Sequence, residues 1–568
     1  MSTNAAMQGE QRPNYELLAS TVKSLGIETV FGLMSDDTAD FAVTLDAMGV
    51  RFVGARHENN AIAMAEGYSY TTGRLGVALV GRGPATANGL HGSVYALRTG
   101  SSVLIMYGEA SIGTPKNLPV GPDYKAFNAL GVLSAAGLKT YRPTNAPGAC
   151  ATLVDAARAA MQGEAVALLL PVDFQLALVD AASQPVDLAP LAAAPLPEAP
   201  PAQAIDAAAQ LLAQSKRPLI VAGLGAHFSG AGEAIERLAE HIGALLATSA
   251  RGKDLFRESP LNLGIVGSFS HSLGRRYIDQ ADCVIVFGAS MNVFTMSFGT
   301  SLPDVPVIHV DADRSHIGRW RTVEMGLVGD AKEVAELLTQ TVPERTDSDK
   351  PFHADAIRQQ IAEFDMSGEF QSAHTARTLD PRALGMELDK LLPPDRSFVF
   401  DGGNFLGVVP YLSVLDPGRF KFTTDFASIG MSFGTAIGVA AGRPESTTVL
   451  VIGDGGFMMT ITELETVARE DIPIVVIVMN DCAYGAELHF LRAHQLPVEK
   501  SLFPDVDLAP IAEGFGFETA TVRTLDELKA IAPMLSNPQG PILVDCKINA
   551  EVAAPFMSEF AEFERAHQ

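Results

Sequence analysis

The chain of 568 residues is poor in cysteine, poor in positive charge and without a long apolar run. Its four cysteines, Cys150, Cys283, Cys482 and Cys546, are scattered and form no Cys-x-x-Cys pair. That spacing excludes a disulfide framework and a paired-cysteine zinc site, and it suits a reducing compartment. Lysine and arginine number 41 against 66 aspartates and glutamates, a formal net charge of −25. A surplus of that sign repels phosphate backbones and anionic headgroups, so neither nucleic acid nor a membrane is expected as a partner. We read the charge as a solubility feature. No apolar stretch reaches the roughly 18–20 residues that a bilayer-spanning helix needs. The opening MSTNAAMQGEQRPN is polar and lacks the apolar core of a signal peptide. A cytoplasmic location is expected.

Apolar residues are plentiful, at 47% of the chain, and the length calls for about three domains. Two stretches punctuate it. Residues 179–204 are rich in proline and alanine with no periodic apolar face, and residues 343–353 are polar and charged. Both read as linkers. They divide the chain into 1–185, 200–342 and 355–550, with a tail at 551–568. Each piece alternates short Val/Ile/Leu runs with helical patterns, which predicts parallel-sheet α/β domains. RLGVALVG, SSVLIMYG, AVALLLPV, RPLIVAG, DCVIVFG, PVIHVDAD and SFVFDGG are the expected strands.

The densest signal is GDGGFMMTITELETVAREDIPIVVIVMNDCAYGAE, Gly453 to Glu487. Gly-Asp-Gly closes one apolar run and Asn480-Asp481 closes the next, with a helical stretch between them. Parallel sheets bind ligands at the C-terminal ends of their strands. Carboxylates there, beside glycines that let backbone N–H groups approach, suit a hard cation holding a diphosphate.

This segment resembles the cofactor motif of the thiamine diphosphate (ThDP)-dependent decarboxylase and acetolactate synthase superfamily, GDG followed after about two dozen residues by Asn-Asn. Here 24 residues lie between Gly455 and Asn480. The resemblance covers essentially the whole chain and extends to 2-hydroxyacyl-CoA lyases and oxalyl-CoA decarboxylases. It implies a pyrimidine-binding N-terminal domain, a central domain and a diphosphate-binding C-terminal domain. It implies Mg²⁺ held by Asp454, Asp481 and the carbonyl of Ala483, with Gly455, Gly456 and Tyr484 in the same cofactor site. Asp481 departs from the usual asparagine but remains a hard-oxygen ligand.

Other segments take roles by the same resemblance. ARHENNAIAMAEGYSYTTG (55–73) matches the segment that supplies the cofactor-activating glutamate, here Glu58. A carboxylate on the pyrimidine ring promotes the imino form that removes the thiazolium C2 proton, so it must hold a proton readily. By residue type alone, Glu58 is an ordinary helix-start glutamate. GRGPATANGLHG (81–92) places Pro84 and Asn88 beside the pyrimidine. FASIGMSFGTAIGVAAG (426–442) offers Ile429 as the wedge that bends the cofactor, with Ala427 contacting its ring. DGGN (401–404) sets Gly403 and Asn404 near the diphosphate. Glu487, 33 residues after Asp454, matches a proton-transferring glutamate. Asp36 and Tyr124 stand where decarboxylases carry catalytic residues, and a surface tyrosine is an equal reading of Tyr124. Because the family builds each site from two subunits, a homo-oligomer of at least a dimer is implied, with a tetramer expected.

Departures narrow the reading. The His-His pair of pyruvate decarboxylases is absent. GASMNVFTM (288–296) replaces the flavin segment of acetolactate synthases, so FAD is not supported. The Phe-Gln pair expected near Lys125-Ala126 is missing. GLGAHFSG (223–230) is an incomplete dinucleotide fingerprint. Arg251, Lys253, Arg257, Arg275 and Arg276 are either solvated charge or a pocket for ADP or CoA phosphate. Phe556, Phe560 and Phe563 recur at helical spacing in the tail, which reads as a lid or as packing on a neighbouring subunit. A small-molecule 2-oxo acid is the leading substrate, with acyl-CoA chemistry as the alternative.

Overall fold

The computed structural model describes residues 10–112, 123–183, 188, 190–193 and 195–567. Most of the opening polar stretch and part of the first linker lie outside the described residues. Three six-stranded parallel sheets form the molecule, so the expected three-domain parallel α/β class is borne out. A small antiparallel pair, Gln11–Pro13 with Leu178–Asp180, ties the ends of the first domain together.

The strands arise where Val/Ile/Leu runs can be buried on both faces, the usual state of a parallel sheet covered by helices. Every residue of Ile474–Asn480 is buried, as is every residue of Val103–Glu109. The first sheet runs Arg51–Gly54, Thr29–Gly32, Gly76–Val80, Val103–Glu109, Ala165–Pro171, Lys139–Tyr141. The third runs Phe420–Phe422, Arg396–Phe400, Thr447–Gly453, Ile474–Asn480, Ile542–Lys547, Glu518–Val522. Counted in chain order within each sheet, both wind 2-1-3-4-6-5. The central sheet runs Asn262–Ile265, Leu245–Thr248, Pro218–Ala222, Cys283–Phe287, Val307–Asp311, Met325–Val328, a 3-2-1-4-5-6 order. That is the dinucleotide-fold order, with its reversal between Pro218–Ala222 and Cys283–Phe287. The second linker is not a loose connection. Phe352 within it is buried, and the Arg345 guanidinium donates to the Leu212 carbonyl at 2.6 Å.

The first and third domains are joined by two helices, Glu58–Thr72 and Met431–Gly442. Gly434, Gly438 and Gly442 recur every fourth residue and line one face. Built Cβ atoms at these positions would overlap Asn60, Met64 and Thr71 of the facing helix. At Gly434 and Gly438 the backbones therefore touch where any side chain would hold them apart, and at Gly442 the backbone meets the Thr71 and Thr72 side chains. Beside this seam the buried Lys421 ammonium donates to the buried Glu66 carboxylate at 2.6 Å. Glu66 also accepts from Ser101 and Tyr95. Those hydrogen bonds satisfy a charge that burial would otherwise make costly.

Gly438→Ala should destabilise the protein by about 1–3 kcal/mol through overpacking. Ala440→Gly, on the same helix but off the glycine row, should cost no more than the ~1 kcal/mol helix penalty of glycine. Chemical denaturation of the two variants checks this.

Candidate active site

The reversal of strand order in the third sheet opens a cavity of about 270 Å³ at the C-terminal strand ends. Three strand ends supply its floor. Arg396–Phe400 leads into Asp401, Gly402, Gly403 and Asn404. Thr447–Gly453 leads into Asp454, which opens the helix Asp454–Thr460. Ile474–Asn480 leads into Asp481. Ala427, Ile429, Ala483, Tyr484 and Glu487 complete the wall, with Phe294 of the central domain and Phe556 of the tail.

The local turns follow from residue type. Asp481 accepts the Ala483 N–H at 3.1 Å, an Asx turn that stops the strand. A Cβ at Gly455 would meet the Tyr484 ring and one at Gly456 would meet the Asp401 carboxylate, so only glycine fits this cradle. Burial, with the charge of Asp481 added, pushes the Asp454 carboxyl up to about 8. Burial likewise pushes Asp481 up to about 7. Among the described lining residues there is no lysine, arginine or histidine. Two crowded carboxylates without a cationic side chain keep protons unless a cation arrives. The donor set, two hard oxygens beside a glycine cradle and a helix start, fits a divalent ion carrying a diphosphate. Among the described residues no three His, Cys, Asp or Glu side chains gather as a metal cluster. A cation here would draw its remaining ligands from backbone carbonyls, ligand oxygens or water.

The residues expected from the sequence fall into two groups. Gly403, Asn404, Ala427, Ile429, Asp454, Gly455, Gly456, Asp481, Ala483, Tyr484 and Glu487 line the one cavity. The Asn404 side chain also donates to the Val552 carbonyl at 2.9 Å and accepts the Ala554 N–H at 2.8 Å. It holds the start of the tail. Glu58, Pro84 and Asn88 form a second group, at the first domain's strand ends. Glu58 is buried at its helix start, and the Asn88 amide donates to its carboxylate at 3.2 Å. None of these three lines the cavity of the same chain.

Asp36 also lies outside the cavity, half exposed and bound to the Lys125 ammonium, which holds its carboxyl down at about 2. Tyr124 is 86% exposed. The five central-domain cations do not converge. Arg251 pairs with Asp425, Lys253 with Asp254, Arg257 with Glu258 and Arg275 with Glu559, while Arg276 donates to Gln360.

Two residues here, Asp401 and Phe294, had no role in the sequence reading. Asp401 is fully buried, and burial pushes its carboxyl up to about 7. An acid ahead of two glycines at a strand end was the available signal. Phe294 comes from an element distant in sequence, and nothing in its own segment marks it, whereas Phe556 belongs to the tail whose spacing allowed a lid.

Three wound sheets and an acidic, glycine-cradled cavity define a diphosphate-cofactor enzyme of the α/β type. Family models of thiamine pyrophosphate (ThDP) enzymes match the chain over residues 14–121 as the N-terminal TPP binding domain, 205–338 as the central domain and 401–546 as the C-terminal TPP binding domain. The chain belongs to the thiamine pyrophosphate enzymes. It is 25% identical to a probable acetolactate synthase large subunit of Methanocaldococcus jannaschii, covering 95% of this chain and 93% of that one. It is 27% identical to sulfoacetaldehyde acetyltransferase of Castellaniella defragrans, covering 98% and 96%. A probable 2-ketoarginine decarboxylase of Pseudomonas aeruginosa is 28% identical, with 90% of each chain covered. A crystal structure from Mycobacterium smegmatis, assigned to the thiamin diphosphate-dependent class, shares the fold with a TM-score of 0.75 at 24% identity, covering 95% of this chain and all of that one. No helix among the described residues is long and apolar enough to cross a membrane.

Asp401 carries a testable pH signature. Its folded carboxyl holds a proton to about pH 7, well above the ordinary aspartate value. The folded state therefore binds more protons than the unfolded one between about pH 4 and 7, and this contribution to stability is lost as pH rises through that window. Asparagine has nothing to ionise. The thermal stability of cofactor-free Asp401→Asn should improve relative to the parent between about pH 5 and about pH 8.

Proposed function

We propose that this protein is a ThDP- and Mg²⁺-dependent enzyme that cleaves or forms a carbon–carbon bond beside the carbonyl of a 2-oxo acid, and that it works as a homo-oligomer of at least two chains. The observation that carries this reading is the single cavity holding Asp454, Asp481, Ile429 and Glu487 with no cationic side chain. Bound ThDP supplies an electron sink for the bond cleaved beside the carbonyl. Asp454, Asp481 and the Ala483 carbonyl would hold the cation, and Gly455 and Gly456 would admit the diphosphate. Ile429 would keep the cofactor bent, with Gly403, Ala427 and Tyr484 around it. Glu487, in the first turn of its helix and at the cavity wall, would deliver or remove a proton at the substrate carbon.

Glu58 would activate the cofactor from the neighbouring chain, flanked by Pro84 and Asn88. Its separation from the cavity of its own chain supports a shared site. Asp36 and Tyr124 would serve the reaction as further catalytic residues. Asp36 in its bond to Lys125 is held ionised, so it would act as an acceptor.

The alternative, an acyl-CoA substrate or a bound ADP, has one observation in its favour. A second cavity of about 320 Å³ opens at the strand reversal of the central sheet, walled by Leu224, Gly225, Arg251, Asp311 and His316. Arg251 in that wall is bound to Asp425, and His316 faces Asp311 at 3.2 Å. Phosphates would find little free positive charge there, which favours the 2-oxo acid.

Glu58→Gln should abolish turnover while leaving the unfolding temperature and ThDP affinity close to the parent; near-parental activity would remove Glu58 from the mechanism. A panel of pyruvate, aromatic 2-oxo acids, 2-hydroxyacyl-CoAs and oxalyl-CoA, tested with ThDP and Mg²⁺ against chelated enzyme, should release CO₂ or ligated product from a 2-oxo acid only. Turnover of a CoA ester would reverse the order of the two readings.

A further inference from the structure

Asp401 has no role in the chemistry assigned so far, yet it is the most thoroughly enclosed acid of the site. It is 0% exposed at the end of the strand Arg396–Phe400. One of its oxygens accepts the Gly430 N–H at 2.7 Å, and the other faces the Thr423 hydroxyl at 3.4 Å. The carboxylate is seated against Gly456, leaving no space for a Cβ there. One side chain thus touches three separate segments: the strand end, the loop Ala427–Gly430 and the turn Asp454–Gly456.

The loop cannot hold its shape alone. Ala427 sits at φ 52°, a left-handed value that a β-carbon disfavours, and Gly430 sits at φ 90°. Between them Ile429 lies over Gly402, with its Cγ2 3.6 Å from where a Cβ of that glycine would stand. The buried Gly430 N–H would lose its partner if the carboxylate were removed.

We propose that Asp401 is a positioning residue of the cofactor site, one that fixes the Ala427–Gly430 loop, and with it Ile429, against the Gly455-Gly456 turn. The assignment rests on the ThDP reading above and adds to it the element that sets the cofactor's bend. Removing the carboxylate frees the loop but leaves Asp454 and Asp481 in place. Cofactor affinity is then retained while the geometry between the cofactor's rings is lost. A misplacement of about 1 Å at a reacting centre can cost about 10²-fold in rate.

The test uses full-length protein loaded with ThDP and Mg²⁺. Calorimetry gives ThDP affinity, and NMR after acid quench gives hydrogen–deuterium exchange at the cofactor's C2. Asp401→Ala should bind ThDP with little loss and exchange about 10²-fold more slowly. Asp401→Asn, which keeps an oxygen for the Gly430 N–H, should exchange near the parental rate. Should the alanine variant not fold, Asp401→Ser carries the same expectation, since its hydroxyl falls short of Gly430. Parental exchange in the alanine or serine variant overturns the assignment. So does an asparagine variant as slow as alanine, because charge and not the hydrogen bond would then be the agent. A parent that binds no ThDP overturns both this and the cofactor reading. A parent that binds it, with unaffected variants, overturns only this one.

Discussion

The site is governed by an excess of buried acid. Asp401, Asp454 and Asp481 stand at the ends of three neighbouring strands, and no cationic side chain among the described residues lines the cavity that Asp454 and Asp481 share. Neighbouring carboxylates in a dry setting cannot all ionise. Burial raises all three carboxyls, and the charge of Asp481 adds to the rise at Asp454. The architecture around them follows from this. Glycines at 455 and 456 admit ligand oxygens, and an Asx turn fixes Asp481. Phe294 and Phe556 keep the surroundings apolar, which strengthens every electrostatic interaction within.

Much of this was legible in the chain itself. Glycine-acid-glycine at the close of a Val/Ile run is a local pattern, and the strand–helix–strand spacing that places Asp454 beside Asp481 is local too. The three-sheet architecture was legible for the same reason, since parallel strands need continuous apolar runs. The shared 2-1-3-4-6-5 winding of the outer sheets was not, because strand order depends on pairings between residues far apart in sequence. Asn404 shows a second limit. Its position at a strand end marked it for the cavity wall, where it stands, but its hydrogen bonds to Val552 and Ala554 at the start of the tail were not legible. Which partner a side chain finds depends on what the rest of the chain delivers to it.

The tail shows the same dependence. Its helix Pro555–His567 lies over the cavity and joins two domains through aromatic rings. Phe556 packs on Phe269 and Phe294 of the central domain, and Phe560 lies between Phe298 and Phe490. Met291, Ser297 and Phe298, in the central segment it rests on, all take positive φ, conformations that persist only where surrounding contacts enforce them.

The glycine seam between the first and third domains has a mechanical consequence. With backbones in contact at Gly434 and Gly438, and the Lys421–Glu66 pair buried beside them, the two domains meet at close range around one shared core. Relative sliding of the two would have to break that core. The central domain and the tail are attached differently, through packed aromatic rings and partly exposed pairs such as the Arg275–Glu559 ion pair. Any opening of the cavity to admit a molecule must be hinged there, on the side of Phe294 and Phe556, while the acid-lined floor stays still.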